Sequence, residues 1–304
     1  MPDAGEREFR SGFVCFVGRP NTGKSTLTNA LVGAKIAITS SRPQTTRHTI
    51  RGIVHREFAQ LILVDTPGLH RPRTLLGQRL NDLVRDTYSE VDVIALCIPA
   101  DEKIGPGDRW IVQQVRQMAP KTTLLGVVTK IDKVGREQIA KQLLAVSELL
   151  GPASEVIPVS AVKGEQVEVL VDLIASQMPP GPAFYPDGEL TDEPEETLMA
   201  ELIREAALEG VRDELPHSLA VVIEDVLPRE DHDELLDVHA LLYVERPSQK
   251  AIIIGKGGSR LKEVGTNARK QIEHILGTRI YLHLHVKIAK DWQRDPKQLG
   301  KLGF

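Results

Sequence analysis

The sequence predicts an α/β domain with a mostly parallel sheet, followed by a smaller α+β domain. Three observations lead to this fold class. Apolar strand-like runs alternate with helical patterns up to about residue 178, as in a parallel sheet covered by helices. A proline- and glycine-rich stretch at 179–188 can then support neither a helix nor a strand ladder. The length of 304 residues is sufficient for two domains with separate cores.

The first domain, which we place at residues 1–178, is predicted to contain six strands and five helices. The predicted strands are 13–18, 50–56, 60–65, 91–98, 122–129 and 156–160, and the predicted helices are 24–33, 75–89, 107–118, 136–150 and 165–177. No helical pattern separates the second strand from the third, so we expect one antiparallel hairpin there. The other strands are expected to be parallel.

A second domain is predicted at residues 195–304, after a linker at 179–194. It opens with a helix that carries apolar residues on one face, from Leu198 to Ala207. The later elements are strand-like segments at 219–224 and 239–245, a strand-like apolar run at Ile252–Ile254, a glycine-rich turn at 255–258, a helix, and a strand at 281–288. The last strand alternates strictly between apolar and polar residues, which predicts a sheet with one face in the core.

Composition excludes several classes of protein. The chain has no apolar stretch of about twenty residues, and residues 1–7 carry no signal-peptide core, so we expect a cytoplasmic protein. Cys15 and Cys97 lie in apolar runs and are interpreted as packed, reduced thiols. The net charge of -4 hides a polarised C-terminal half. Residues 195–245 carry a charge of -12, and residues 246–301 carry +9.

The segment from Gly18 to Ser25 fits the Gly-x-x-x-x-Gly-Lys-Ser/Thr pattern of a phosphate-binding loop. The predicted contact residues are Gly18, Arg19, Pro20, Asn21, Thr22, Gly23, Lys24, Ser25 and Thr26. Glycines let backbone N–H groups point at phosphate oxygens, Lys24 supplies a cation, and the Ser25 hydroxyl can bind Mg²⁺. The pattern therefore predicts a nucleotide site between a strand and a helix N-terminus.

Three further segments narrow the nucleotide to GTP. Asp65, Thr66, Pro67 and Gly68 end an apolar strand, where the aspartate can hold Mg²⁺ and the glycine N–H can contact a γ-phosphate. Thr129, Lys130 and Asp132 end another strand. The Asp132 carboxylate suits guanine, whose N1–H and exocyclic amine are both donors, and adenine would leave it unpaired. Ser160 and Ala161 can offer a backbone N–H to the guanine carbonyl.

Together with Thr45 and Thr46, these ordered segments resemble the translation-factor class of GTPases. The resemblance implies GTP/GDP and Mg²⁺ as ligands, with Ser25, Thr46 and Asp65 at the metal. It leaves both threonines open as the switch residue, and we favour Thr46. Thr129 departs from the family, which usually has Asn there, so guanine affinity is expected to be moderate.

The resemblance also bears on catalysis, for which Lys24, Thr46, Gly68 and Asn21 are the candidate residues. Leu69 stands where Ras-like enzymes carry the glutamine that orients water, and leucine cannot orient water. Intrinsic hydrolysis is therefore predicted to be slow. In GTPases similar to this chain, an asparagine at the position of Asn21 helps to coordinate K⁺, which implies stimulation by K⁺ as a hypothesis.

The run from Ile254 to Lys262 is similar to the nucleic-acid-binding turn of a KH domain. Its candidate RNA contacts are Ile254, Gly255, Lys256, Gly257, Gly258, Arg260 and Lys262. Small residues let a phosphodiester backbone approach, and the following helix N-terminus favours phosphate. From the residues alone we infer binding of single-stranded nucleic acid.

A GTPase domain, a linker and a KH domain together resemble the Era family along nearly the whole chain. The resemblance implies a factor that assists 30S subunit assembly by binding small-subunit ribosomal RNA near its 3′ end, and that meets the inner face of the cell membrane peripherally. We expect a monomer without a transmembrane segment.

Two alternatives come from other functional classes. A kinase-like metabolic enzyme would need catalytic residues in the second domain, and none stands out. A membrane-surface or scaffold GTPase would bind anionic lipid through residues 246–301. Lipid binding should tolerate changes at Gly255 and Gly258, whereas KH binding should not.

Three aromatic side chains of the second domain are given structural interpretations. His283 and His285 share one strand face and are interpreted as half-exposed strand residues rather than metal ligands, because no third ligand is nearby. Trp292 is interpreted as an anchor for the C-terminal tail.

Overall fold

The computed structural model describes residues 8–39, 46–68, 74–209, 211, 215–229 and 232–304. Contacts divide the described chain into two compact units. The first unit contains 8–37, 46–68 and 80–192, and the second contains 38–39, 74–79 and the described part of 193–304. Each unit has its own sheet and core.

The first unit is built on a six-stranded sheet with the order β2-β3-β1-β4-β5-β6. Its strands are β1 Arg10–Val17, β2 Ile50–Arg56, β3 Ala59–Asp65, β4 Val93–Pro99, β5 Thr123–Thr129 and β6 Val156–Pro158. Strand β2 pairs antiparallel with β3, and all other pairs are parallel, so the predicted hairpin is confirmed. The parallel strands end at one edge, where α/β proteins place their ligands.

Helices cover both faces of this sheet because its central strands are apolar on both sides. They are α1 Lys24–Val32, α2 Leu75–Glu90, α3 Pro106–Met118, α4 Arg136–Leu150 and α5 Val167–Gln177. Val14 and Phe16 of β1 point into the core beneath α1 and α5. The alternate residues Cys15 and Val17 point into the core beneath α2, α3 and α4. The α/β fold class predicted for this part of the chain is confirmed.

Residues 179–192, predicted as part of a linker, lie within the first unit. The Ile53 N–H donates to the Leu190 carbonyl at 2.9 Å, and Thr191 bridges to Gly52 of the edge strand β2. The Gln60 side chain accepts from the backbone N–H groups of Phe184 and Tyr185. These contacts satisfy backbone groups of a segment that forms no helix.

The second unit has a three-stranded sheet with the order β7-β8-β9. Its elements are α6 Glu195–Leu208, α7 Leu215–Ser218, β7 Ala220–Arg229, β8 His232–Val244, α8 Pro247–Ile254, α9 Ser259–Leu276, β9 Arg279–Ile288 and α10 Pro296–Lys301. Strands β7 and β8 are antiparallel, and β8 and β9 are parallel. Apolar residues of α6 and α9 pack on one sheet face and form the core.

The strand-like interpretation of Ile252–Ile254 is wrong, because these residues form the last turn of α8. Pro247 occupies the first turn, where its missing N–H costs nothing. The Gln249 side chain accepts from the N–H groups of Glu245 and Arg246, and Gly255 follows the last helical residue. A run of three isoleucines has no period of its own, so these flanking signals decide the element.

In the part of the chain that the structure describes, no helix is long and apolar enough to cross a membrane. Cys15 and Cys97 are both fully buried in the first unit. Burial raises the pKa of each thiol to about 12, because a thiolate would be poorly solvated there. The prediction of packed, reduced cysteines is confirmed.

Candidate functional site

The segment from Gly18 to Gly23 connects the end of β1 to the start of α1 and turns the backbone inward. A Cβ atom on Gly18 would lie only 2.6 Å from the Cys97 carbonyl oxygen, so the position requires glycine. Lys24 reaches back across the loop, and its Nζ donates to the carbonyls of Gly18 and Arg19 at 3.1 and 2.8 Å. Burial lowers the pKa of Lys24. The ammonium group therefore lies where a bound phosphate chain would need a cation.

Arg19 of the same loop forms salt bridges with two acidic residues outside the loop. Arg19 donates through Nε to Asp108 at 2.8 Å and through Nη2 to Glu102 at 3.0 Å. Asp108 is fully buried and also accepts from the Gly105 N–H at the start of α3. The predicted nucleotide contact Arg19 thus directs its side chain at α3 rather than into the loop. Sequence reasoning missed Asp108 and Glu102, since they lie 89 and 83 residues from Arg19 along the chain.

Three hydroxyl and carboxylate groups predicted at a metal meet beside α1. Ser25 Oγ donates to Asp65 Oδ2 at 2.8 Å, and Thr46 Oγ1 lies 3.2 Å from both of these oxygens. Hard oxygen donors of this kind suit Mg²⁺, which binds through one or two carboxylates together with substrate phosphates. Thr45 and Leu69 lie outside the described residues.

The other residues of the Asp65–Gly68 segment surround this cluster. Thr66 is buried with its hydroxyl 3.5 Å from Cys15 Sγ, and Pro67 is also buried. A Cβ atom on Gly68 would lie 3.8 Å from the Gly18 carbonyl oxygen, which places the Gly68 backbone beside the phosphate loop. Pro20 and Asn21 are exposed at the tip of that loop, and Asn21 has a φ of 64°.

A cavity of about 140 Å³ lies at the carboxyl end of β5, next to the phosphate loop. It is lined by Gly23, Thr26, Leu27, Thr129, Lys130, Asp132, Lys133, Val159, Ala161 and Val162. Ser160 Oγ donates to Asp132 Oδ1 at 2.6 Å, which orients the carboxylate. Two separate segments therefore bring the base-reading candidates to one cavity: Thr129 and Asp132 lie at the end of β5, and Ala161 follows β6.

The Thr129 side chain links the end of β5 to the phosphate loop. Its hydroxyl donates to the Thr22 carbonyl oxygen at 2.6 Å, and both residues are buried. An asparagine amide could make the same bond with one N–H and keep a second N–H and an oxygen for other partners, whereas the one donor of the hydroxyl is engaged. Thr129, which stands where the family usually has Asn, thus keeps a hydrogen bond to the phosphate loop.

The glycine-rich turn in the second unit joins α8 to α9. Gly255 has a φ of 72°, and a Cβ atom there would lie 2.7 Å from Arg260 Cβ, so only glycine fits without strain. Lys256–Gly258 form a single 3₁₀ turn, and α9 begins at Ser259. Lys256, Gly257 and Lys262 are exposed. The N-terminus of α9 therefore presents backbone N–H groups close to two exposed lysines.

Arg260 does not join this group of side chains. Its Nη2 donates to the Ala207 carbonyl at 3.2 Å and also to the Glu209 carbonyl. These carbonyls lie at the C-terminal end of α6, where helices leave acceptors without intrahelical partners. Arg260 therefore joins α9 to α6, a role that spacing along one helix could not reveal.

Trp292 anchors the C-terminal tail, as predicted. It is fully buried, its Nε1 donates to the Ser218 carbonyl at 2.9 Å, and its ring stacks on Phe304 at 5.7 Å. The interpretation of Trp292 as an anchor is confirmed.

Comparisons with known proteins agree with this arrangement. Residues 13–130 match the family model of 50S ribosome-binding GTPases, and residues 214–293 match the KH domain model. GTPase Era of Mycolicibacterium smegmatis is 80% identical over 297 residues, which cover 98% of this chain and 99% of the relative. GTPase Era of Mycobacterium tuberculosis is 74% identical over 298 residues, with the same coverage of both chains.

Solved structures give the same result. A crystal structure of Era in complex with MgGDPNP and nucleotides 1506–1542 of 16S ribosomal RNA has a TM-score of 0.92 and 37% identity, covering 97% of this chain and 99% of that chain. A crystal structure of an Aquifex aeolicus Era variant bound to GDP.AlF4- has a TM-score of 0.93 and 36% identity with the same coverage. Because relatives this similar span nearly the whole chain, it belongs to the Era GTPase family, and it binds and hydrolyses GTP.

Proposed function

We propose that this GTPase assists assembly of the small ribosomal subunit by binding 16S ribosomal RNA near its 3′ end. One observation carries the proposal: the Era structure that contains MgGDPNP and nucleotides 1506–1542 of 16S RNA matches 97% of this chain with a TM-score of 0.92. The 50S family model covers only residues 13–130 and so does not include the KH turn. We therefore favour the small subunit as the partner.

In this function the nucleotide is held by the loop at 18–25 and by the base cavity. Lys24 neutralises phosphate charge, while Ser25, Thr46 and Asp65 hold Mg²⁺ directly or through water. Asp132 accepts from guanine, and Ala161 offers its N–H to the guanine carbonyl. The magnesium ion, when bound, neutralises charge that develops on the phosphates. We assign residues 1–178 to the GTPase domain, 179–194 to a linker whose residues 179–192 pack on that domain, and 195–304 to the KH domain.

Hydrolysis proceeds slowly because Leu69 offers no group that could orient water. Gly68 contacts the γ-phosphate through its backbone, and Thr46 senses that phosphate together with Mg²⁺. Asn21 would help to coordinate K⁺, which would supply the positive charge that an arginine finger gives to other GTPases. The ion would thus act at the phosphate loop itself.

RNA binds at the α8–α9 turn. Ile254, Gly255, Gly257 and Gly258 let the RNA backbone approach, and the exposed Lys256 and Lys262 contact phosphate. Arg260 contributes by holding α9 against α6, since its guanidinium already donates to the Ala207 and Glu209 carbonyls.

GTP and RNA binding are coupled through residues 40–49 and 68–78, the segments that carry the switch residue Thr46 and the γ-phosphate contact Gly68. The two residues that precede the first of these segments, Ile38 and Thr39, are attached within the second unit. The Thr39 N–H and hydroxyl donate to Glu205 Oε1 of α6 at 2.7 and 3.2 Å, and Ile38 is buried in the second core. A change in the switch segment is thereby transmitted to α6, which packs on the KH helix α9. Linkage requires RNA to change GTP affinity by the same factor as GTP changes RNA affinity.

The protein acts as a cytoplasmic monomer that associates peripherally with the inner face of the cell membrane. Lipid binding is not its main function, because the KH turn of glycines and lysines is built for a phosphodiester backbone. A lipid-binding scaffold would not need a ligand backbone to approach the protein backbone as closely as Gly255 permits.

The test compares lysine variants for binding to an RNA of nucleotides 1506–1542. Lys262→Ala should weaken binding and lower the salt slope by about 0.7, the loss expected for one phosphate contact on a single strand. Lys297→Ala, at an exposed lysine of α10, is the matched control and should bind like the wild-type protein. If Gly258→Asp binds this RNA with unchanged affinity, the KH turn is not the RNA site.

A further inference from the structure

The outer face of β9 carries an unusual row of side chains that the proposed function does not use. Ile280, Leu282, Leu284 and Val286 point into the core of the second unit. The alternate residues therefore lie on the opposite face of the sheet. They are Arg279, Tyr281, His283, His285 and Lys287, so every outward position is a cation or an aromatic ring.

The rings of this row form an ordered stack. His283 lies parallel to His239 of β8, with ring centroids 4.3 Å apart and an interplanar angle of 2°. Tyr281 lies against His283 at 4.6 Å with an angle of 55°, and the Arg229 guanidinium lies 5.1 Å from the Tyr281 ring centroid. Tyr281 nevertheless remains 47% exposed. The stack therefore offers a preformed aromatic surface to solvent.

The row has a cation at each end. Arg279 and Lys287 mark the two ends of the row, about 26 Å apart at 3.3 Å per residue. Two carboxylates form ion pairs on this face: Asp237 lies 3.7 Å from Arg229 and 3.8 Å from His283, and Glu224 lies 3.6 Å from Lys287. Asp237 and Glu224 are thus paired with cations. The exposed Asp225 lies opposite His239 on the same face, so the three described cations Arg229, Arg279 and Lys287 face three acids even when the histidines are neutral.

We propose that the outer face of β9 is a second binding surface for single-stranded RNA, which stacks bases on Tyr281 and His283 and holds phosphates with Arg279 and Lys287. Aromatic rings interleaved with cations suit a strand in which bases and phosphates alternate. Stacking tolerates any base, since every base has a π-face. The surface would therefore add affinity without reading sequence. The inference rests on the proposed RNA-binding function but concerns a face distinct from the α8–α9 turn.

The test uses the full-length protein and a fluorescent RNA of nucleotides 1506–1542. Tyr281→Leu removes the ring but keeps an apolar side chain of similar reach, and it should weaken binding about tenfold. Tyr281→Phe retains the ring and should bind like the wild-type protein. Leu227→Ala is the matched control, because Leu227 is exposed on β7 directly opposite Asp237 and carries neither ring nor charge.

Further measurements separate RNA contact from a folding defect. Thermal unfolding and GTP affinity of Tyr281→Leu should equal those of the wild-type protein, because Tyr281 lies outside the core. Ultraviolet crosslinking to the same RNA should label a peptide that contains Tyr281 or His283. Lys287→Gln should reduce the salt slope of RNA binding by about 0.7.

The outcomes distinguish this proposal from the proposed function. If Gly258→Asp loses RNA affinity while Tyr281→Leu keeps it, the outer-face proposal is overturned and the KH function stands. If neither variant changes RNA affinity, the proposed function fails as well. If Tyr281→Leu keeps RNA affinity but loses binding to phosphatidylserine vesicles, the face binds lipid and the inference is wrong.

Discussion

Replacing Thr129 with valine tests whether one hydroxyl links the base-reading strand to the phosphate loop. Valine has nearly the same shape, so the change removes the hydrogen bond to the Thr22 carbonyl without creating a cavity. That bond is 2.6 Å long, and Thr129 and Thr22 are 4% and 0% exposed. Water therefore cannot easily replace the lost donor.

The expected cost follows from the buried carbonyl that loses its partner. Leaving a buried acceptor unpaired costs about 1–3 kcal/mol. If the loop keeps its shape, this cost lowers the free energy of unfolding of the first unit. If the loop relaxes instead, nucleotide binding must restore it, and the dissociation constants for GTP and GDP rise roughly 5- to 150-fold. Preference for guanine over adenine should stay unchanged in both cases, because Asp132 is untouched.

The assay combines equilibrium titration with a fluorescent GDP analogue and thermal unfolding without nucleotide. Thr129→Ser keeps the hydroxyl and should behave like the wild-type protein. Thr129→Asn restores an amide donor with a free oxygen and should bind guanine nucleotides at least as tightly as the wild-type protein. A Thr129→Val protein that binds GDP and unfolds as the wild type does would refute the link between the two loops.

Three other predictions concern the first unit. Asp132→Asn should weaken GTP binding by about a hundredfold or more, since charged hydrogen bonds contribute about 1.5–3 kcal/mol each and guanine offers two donors; an unchanged titration would remove Asp132 from the base site. Exchange of K⁺ for Na⁺ in a steady-state turnover assay should slow hydrolysis several-fold, and equal rates in both salts would exclude K⁺ from the mechanism. Native protein at about pH 8 should show no thiol reactive to a colorimetric disulfide reagent, because the pKa values of Cys15 and Cys97 are raised to about 12. Two fast-reacting thiols in the native state would contradict their burial. Because these pKa values are raised on folding, the protonated thiols stabilise the fold below about pH 8.5, and this stabilisation is lost as the pH rises toward about 12.

The buried strands of the first domain show where pattern reading succeeds. The sequence predicts most of them within a few residues of their observed bounds, because strands buried on both faces must be apolar throughout. The strand interpretation fails at Ile252–Ile254 because hydrophobicity alone does not distinguish a buried strand from a short helix. The helix there depends on Pro247, Gln249 and Gly255. These residues are close in the chain but lie beside the apolar run rather than within it.

The sequence by itself determined the chemistry of this protein: a phosphate loop, a carboxylate for guanine, a glycine-rich RNA turn and the family that combines them. Each depends on residues close together in the chain, so spacing is enough to recognise them. Only the tertiary structure showed that Arg19 points to Asp108, that Arg260 holds α6, and that His283 stacks on His239. Such contacts join residues distant in the chain, and they depend on how packed elements direct each side chain, which no local pattern encodes.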